Sequence, residues 1–288
     1  MQGVNLYHPG ADALIRRFSF IPAARLDDLM ISWASDGGGV GPHFDSYDVF
    51  LLQAQGRRRW RISMQRDRTL EAGAPLKILA DFRATEEWVL EPGDMLYLPP
   101  GCAHEGVAEG ECMTYSIGFR APSAAELARG LLEHMADSIE RIGMYTDPDL
   151  RPVHAAAALP DDYIDRAVRL IGRLQPTRAM VAEFLGRSLS EPKPNVFFDP
   201  PGRPLGRAVF FRALHRHGLH LDGKTRMLHH RSKLFINGEL VQLRPVPAAL
   251  RRLADARAFA ADTGFNDSAS ELLYSWYTHG WLHLGVEP

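Results

Sequence analysis

The chain has 288 residues, 33 Lys/Arg against 35 Asp/Glu and a formal net charge of -2, with 45% hydrophobic and 24% charged residues. That is the mixture of an ordinary soluble protein long enough for two or three compact units, and its balance excludes a uniformly basic nucleic-acid binder. Two cysteines, Cys102 and Cys112, give no disulfide framework, and no signal-like or bilayer-length apolar run occurs, so a soluble cytoplasmic protein without membrane contact is expected.

From Met30 to Phe119 the pattern is short apolar runs cut by Gly and Pro. Asp48–Leu52, Trp60–Ser63, Glu87–Leu90 and Met113–Phe119 read as strands. Gly37-Gly38-Gly39, Gln55-Gly56, Pro92-Gly93-Asp94 and Pro99-Pro100-Gly101 read as the turns between them. Short strands with frequent turns predict a sandwich or barrel rather than alternating β-α-β units.

After Arg120-Ala-Pro-Ser123 the texture becomes helical. Ser123 with Glu126 forms a capping signature ahead of Leu127, Leu131, Leu132, Met135 and Ile139 at helical spacing. Further helices are predicted over Asp161–Gly172 and Thr177–Leu189. The proline-rich stretch Ser190–Arg203 reads as a linker. Beyond it the pattern predicts a helix near Arg207–His215, then strands Met227–Ile236 and Glu239–Leu243 around Asn237-Gly238, a hairpin turn. Helices near Ala248–Thr263 and Ala269–His279 follow. Helices framing a small hairpin suggest a winged-helix-like unit over 196–288, after a barrel over 1–122 and a helical region over 123–195.

Charge is uneven along this order. Residues 203–257 carry 12 Lys/Arg against 3 Asp/Glu, whereas residues 1–123 carry 12 against 16. Such a block is either a solvated face or a contact for an acidic or RNA-bearing partner.

The chemistry concentrates in Gly41-Pro-His43-Phe-Asp45 and Gly93-Asp-Met-Leu-Tyr-Leu-Pro99-Pro-Gly101-Cys-Ala-His104. On a strand, residues two apart share a face, so His43 and Asp45 can meet one ion while Phe44 turns away. The second segment fits the second cupin motif at each fixed place: Gly, Pro, Gly and His. Pro-Gly-Asp turns the chain into a strand, Met95–Leu98 is expected to fill the barrel, and Pro-Pro-Gly brings His104 to the mouth. His104 follows Asp45 by 59 residues, room for about four strands. Two imidazoles and one carboxylate leave half of an octahedral shell open, which suits non-haem Fe(II) with a bidentate cosubstrate and O2. A structural zinc site would close its shell with four ligands.

Gln55-Gly56-Arg57-Arg58-Arg59-Trp60-Arg61-Ile62 supplies a cation. If Trp60 and Ile62 face inward, Arg58 does too, and Arg57, Arg59 and Arg61 form an outer row. An inward guanidinium is costly unless an anion meets it, and its planar fork suits a carboxylate. That anion is either the distal end of a cosubstrate or a barrel carboxylate such as Asp48. Ser116, on the strand after His104, offers a hydroxyl to the same carboxylate. Asp36, Tyr47 and Asp48 are the candidates for substrate contact, although Asp36 is equally a turn former.

These residues together resemble the cupin-4 group of JmjC-type ribosomal oxygenases, and more narrowly the bacterial ribosomal-protein arginine hydroxylases. The resemblance rests on Leu29-Met-Ile-Ser-Trp33, Gly37 through Phe50, Gly56 through Arg61, Glu91 through Gly101, His104-Glu-Gly106 and Tyr115 through Pro122. It implies a double-stranded β-helix (cupin/JmjC) barrel followed by helices and a winged helix, with further barrel strands before the residue at which this sequence begins. It implies Fe(2+) on His43, Asp45 and His104, 2-oxoglutarate held by Arg58, and hydroxylation of an arginine in a large-subunit ribosomal protein. It also implies a homodimer through the helical segment, with ribosome or RNA contact open to the basic C-terminal part. Two alternatives stay open: demethylation of methyl-lysine by the same chemistry, and a non-catalytic cupin module serving the winged helix. Retention of all four site residues in register speaks against the second.

Overall fold

Alternation of buried and exposed positions builds the first half of the chain. The computed structural model describes residues 1–136, 144–149, 152, 155, 157–243, 245–260 and 267–285; Ile139 and Thr263, each expected on a helix, lie outside them. Six strands form one antiparallel sheet: β1 (Leu26–Ala34), β2 (His43–Phe44), β3 (Asp48–Ser63), β4 (Glu86–Leu90), β5 (Met95–Leu98) and β6 (Ala103–Phe119). Their order is β1-β6-β3-β4, with β2 also paired to β6 and β5 to β3. Three strands, rather than about four, lie between Asp45 and His104.

The segments Asp48–Leu52 and Trp60–Ser63 prove to be two ends of one 16-residue strand. Gln55-Gly56, read as a turn, is a bulge where the register between β3 and β6 slips. Gly56 has φ 63°, and a Cβ there would lie 2.1 Å from the Glu111 carbonyl oxygen. Bulges bend and twist a strand, so two very long strands can curl around an interior instead of running flat. Along β5 the expected filling of the barrel is only half realised. Leu98 is buried, but Met95 and Tyr97 are about half exposed, because a strand offers only alternate residues to the core.

A helix that the pattern did not announce, α1 (Pro9–Arg16), lays Ala11 and Ile15 with Phe18 over Leu29, Ile117 and Phe119. Its eight residues are too few to show a clear period. The middle region holds α2 (Ala124–Ala136), α3 (Asp161–Ile171) and α4 (Arg178–Ser190). The capping box before α2 is formed: Ser123 N–H donates to Glu126 Oε2 at 2.7 Å, and Glu126 N–H to Ser123 Oγ at 3.2 Å.

The C-terminal part contains α5 (Arg207–His217), β7 (Leu219–Leu221), β8 (Met227–His230), β9 (Lys233–Ile236), β10 (Glu239–Leu240), α6 (Ala248–Ala256), β11 (Ala258–Phe259), α7 (Asp267–Thr278) and β12 (Leu282–Leu284). The run Met227–Ile236, expected as one strand, is a hairpin broken at Arg231-Ser232, where Arg231 takes φ 52°. Asn237 and Gly238 make the next turn with φ 49° and 86°, the left-handed pair that a tight hairpin requires. α4 packs on this hairpin: Lys233 Nζ donates to Glu183 Oε2 at 2.7 Å, and Gly186 abuts the Phe235 ring. Phe210, Leu214, Leu250, Leu253, Leu273 and Trp276 centre the core.

Asp27 joins the two halves. Its carboxylate takes Arg120 and Lys193, each at 3.1 Å, while its carbonyl accepts from Arg226 Nη2 at 2.6 Å. Burial pushes Arg226 down to about 10, yet it remains cationic at neutral pH. Among the described residues no helix is long and apolar enough to cross a membrane.

Candidate metal centre

β2 and the start of β6 carry the site. His43 stands directly opposite His104 in the antiparallel register, and Phe44 opposite Ala103. Asp45 follows at the end of β2, where its carbonyl accepts from Gly101 N–H at 2.7 Å. One ligand atom from each of His43, Asp45 and His104 lies within 4.8 Å of the others. Asp45 Oδ2 is 3.9 Å from His43 Nε2 and 3.7 Å from His104 Nε2. Such separations suit three donors around one ion better than direct hydrogen bonds.

Both imidazoles are already oriented. His43 Nδ1 is 2.9 Å from the Gly41 carbonyl and His104 Nδ1 is 3.0 Å from that of Cys102. With Nδ1–H donating to the backbone, each Nε2 lone pair is left for a metal. Burial pushes His104 below the usual histidine range, and nearby His43 and Arg58 act in the same direction against the Cys102 carbonyl and Asp45. His104 is therefore neutral at neutral pH, the form that ligates. The three residues fit an Fe(II) ion with one open face, and among the described residues this is the one group of three or more potential ligands so placed.

Farther along the same interior face lie Trp60 and Arg58. They pair with Gly106 and Ala108 on β6, so His104, Trp60 and Arg58 step along one wall. Arg58 is 6% exposed and Trp60 5%. The guanidinium lies 4.9 Å from the Trp60 ring centre, which is in turn 6.0 Å from that of His104. Arg58 reaches the Gly106 carbonyl at 3.2 Å, Ser32 Oγ at 3.3 Å and Thr114 Oγ1 at 3.5 Å, all neutral acceptors. Its Nε has no partner, and among the described residues no carboxylate pairs with it. Burial accordingly lowers its basicity. A side chain at Gly106 would strike Arg58 and Trp60, at 2.8 and 2.7 Å from a Cβ, so glycine is what lets these two side chains pack against β6.

The outer arginines behave as the alternation predicted. Arg57 pairs with Glu91 and Glu109, Arg59 with Glu87 and Glu109, and Arg61 with Glu105. The other sequence candidates fare differently. Asp48 does not meet Arg58; its carboxylate takes Arg25 and the Tyr97 hydroxyl, each at 2.6 Å. Asp36 Oδ1 accepts from Gly110 N–H at 2.7 Å, so it ties its loop to distant β6 and does not serve as a plain local turn former. Tyr47 is half exposed. Ser116 is buried on the Thr114 face of β6 but is not among the groups bonded to Arg58. Ser32 and Thr114 hold that place, and the sequence reading missed both. Period-two spacing from Ser116 could have suggested Thr114, whereas Ser32 depends on β1 pairing with β6 through the partners Ser32 and Thr114.

The model of the JmjC domain family matches residues 13–127, and that of the ROXA-like winged helix matches residues 173–283. The ribosomal protein uL16 3-hydroxylase of Escherichia coli K12 is 35% identical over 274 residues, covering 94% of this chain and 73% of that protein. An X-ray structure of E. coli YcfD superposes with a TM-score of 0.86 at 34% identity, over 98% of this chain and 77% of that one. The complex of YcfD, a ribosomal oxygenase, with cobalt and 2-oxoglutarate gives 0.81 at 34% identity, over 98% and 76%. The chain belongs to the JmjC-type ribosomal oxygenases, Fe(II)- and 2-oxoglutarate-dependent dioxygenases that carry a ROXA-like winged helix.

Proposed function

We propose that the protein hydroxylates an arginine side chain of a large-subunit ribosomal protein, with iron on His43, Asp45 and His104 and 2-oxoglutarate anchored by Arg58. The carrying observation is the buried Arg58 guanidinium, a cation with only neutral acceptors on the wall that leads to the two imidazoles. A carboxylate suits that guanidinium in charge and in the geometry of its planar fork. The hydroxylase 35% identical to this chain acts on ribosomal protein uL16, which supports the choice of substrate.

Iron bound there supplies O2 activation coupled to decarboxylation of 2-oxoglutarate to succinate and CO2. The chain's own residues do the rest. Gly41 and Cys102 carbonyls hold the imidazoles with Nε2 forward. Arg58 neutralises the distal carboxylate, with Ser32 and Thr114 hydroxyls beside it. Gly106 lets Arg58 and Trp60 lie directly against the backbone of β6, and Trp60 walls the site from water. Tyr47, half exposed two residues after Asp45, is the substrate-contact candidate, with no side-chain hydrogen bond among the described residues.

We place the protein in the cytoplasm as a homodimer through its helical region. α3 supports this, for it buries no side chain of its own, and Val168 and Ile171 are 61% and 66% exposed. For RNA the support is thinner. Of the three arginines on α5, Arg207 pairs with Glu271, leaving Arg212 and Arg216, and α7 carries no Lys or Arg.

The test is turnover of purified ribosomal proteins with Fe(II), 2-oxoglutarate and O2, followed by peptide mass spectrometry. An arginine peptide should gain one oxygen atom with wild type and not with His43→Ala. Modification of another residue type would replace the arginine assignment.

A further inference from the structure

One of the three proposed iron ligands, His43, rides on a very small element, and a second, Asp45, follows directly after it. β2 is two residues long, and its sheet partner is the start of β6. So short a ladder fixes little by itself. The segment 64–85, between β3 and β4, covers the other side. Within it Leu70 bridges Leu79, and Leu79 N–H donates to the Pro42 carbonyl at 2.8 Å, directly before His43. Leu79 is 4% exposed, and Ile78 packs beside Gly41.

Arg68, on this same segment, lies over the outward face of β2. Its guanidinium sits 4.8 Å from the Phe44 ring centre and presses on Gly101, where an added Cβ would be 2.4 Å from Nη2. Phe44 separates His43 from Asp45, and Gly101 N–H holds the Asp45 carbonyl. The cation therefore touches both backbone stretches that aim the carboxylate. Among the described residues it has no acidic partner, so an ion pair does not account for its position.

We propose that Arg68 is a positioning residue for the metal: by stacking on Phe44 and bracing Gly101 it holds Asp45, and with it the open face of the triad, in place. This rests on the assignment of His43, Asp45 and His104 as ligands. Residues that orient ligands from outside typically govern metal affinity by about 10- to 100-fold. A cation over an aromatic ring at an exposed site contributes at the lower end of such effects.

The experiment is anaerobic Co(II) titration of the full chain, followed by d–d absorption and calorimetry, with apo-protein melting recorded alongside. Arg68→Ala should weaken Co(II) roughly tenfold while leaving the apo melting temperature close to wild type. Arg68→Lys should recover part of the loss, and Phe44→Leu should reproduce it without adding to Arg68→Ala. Arg66→Ala, exposed on the same segment, should bind like wild type. Co(II) affinity within twofold of wild type in Arg68→Ala would overturn the proposal. So would a fall in apo stability large enough to explain the weaker binding, because the role would then be general folding. His43→Ala separates the premise: if it still gives the wild-type Co(II) spectrum, the ligand assignment fails, whatever Arg68 does.

Discussion

Replacing Arg58 by methionine should have opposite consequences in the free and the liganded protein. In the free protein the guanidinium is 6% exposed with neutral acceptors at 3.2–3.5 Å and an unpartnered Nε. Exchanging such a cation for an apolar chain of similar length removes a desolvation cost, and buried charges replaced this way are often neutral or stabilising by about 1–4 kcal/mol. The hydroxyls left behind keep other partners: Ser32 Oγ donates to the Thr114 carbonyl, and Thr114 Oγ1 to Gln53 Oε1. With 2-oxoglutarate bound as proposed, the same exchange deletes a guanidinium–carboxylate pair. At about 4 Å and an effective dielectric near 20, that pair is worth roughly 4 kcal/mol, or about three decades of affinity. Calorimetry of 2-oxoglutarate binding to the Mn(II) protein under argon, with melting curves in the absence and presence of cosubstrate, reads both arms. The variant should melt at or above wild type when free and show no shift with cosubstrate. A variant that melts well below wild type when free, yet binds 2-oxoglutarate normally, would refute the reasoning: the cation would then be a structural group with an unrecognised partner.

Three other outcomes follow from the geometry. Gly106→Ala, whose Cβ would lie 2.7–2.8 Å from Trp60 and Arg58, should destabilise by about 1–3 kcal/mol and abolish detectable 2-oxoglutarate binding, as melting and calorimetry would show. Gly56→Ala combines a φ of 63° with a 2.1 Å approach to the Glu111 carbonyl, so it should lower stability by more than about 1 kcal/mol in denaturant titration without changing the metal ligands. At Asp27, burial works to raise the pKa, but attraction from Lys193 and Arg120 outweighs it and leaves the folded value below the ordinary 3.8. A depressed folded value means stability that is fully present above about pH 4 and is lost as pH falls through the folded value. Asp27→Asn should therefore cost about 1.5–3 kcal/mol at neutral pH by removing the carboxylate that accepts from Arg120 and Lys193, and should lose that deficit relative to wild type in acid.

The triad was legible because its signal is nearly local. His43 and Asp45 are two apart in sequence, and although the strand ends at Phe44 with Asp45 just beyond it, the two side chains still meet; the Gly-Pro-Gly-His spacing of the second segment fixes a turn, a strand and a bend before His104. Arg58 was legible for a related reason: alternation holds across Trp60 and Ile62 even though the strand is bulged two residues earlier. What escaped the sequence is whatever depends on strand order. Ser32 reaches Arg58 because β1 lies beside β6, and nothing near residue 32 encodes that neighbour. Asp48 looked like a partner for Arg58 because both lie on β3 and both are polar, but the bulge at Gln55-Gly56 separates their surroundings and Arg25 takes the carboxylate. The hairpin break at Arg231 carried no Gly or Pro, so a non-glycine residue at positive φ hid a turn inside an apparently continuous strand.

The same distinction bears on where the family's chemistry is robust and where it is exposed to change. The proposed ligands His43 and His104 face each other across a ladder and draw their tautomers from backbone carbonyls two residues upstream, so their geometry is built within short segments. Asp45 lacks that protection. Its aim depends on Gly101 across a bend, and on the segment 64–85 pressing from outside. Substitutions in that segment can therefore alter metal retention without touching a ligand, whereas substitutions on the wall of Arg58, Trp60 and Gly106 act on the cosubstrate first. Metal affinity and 2-oxoglutarate affinity should accordingly vary separately across variants of this chain, because two different parts of the sheet hold them.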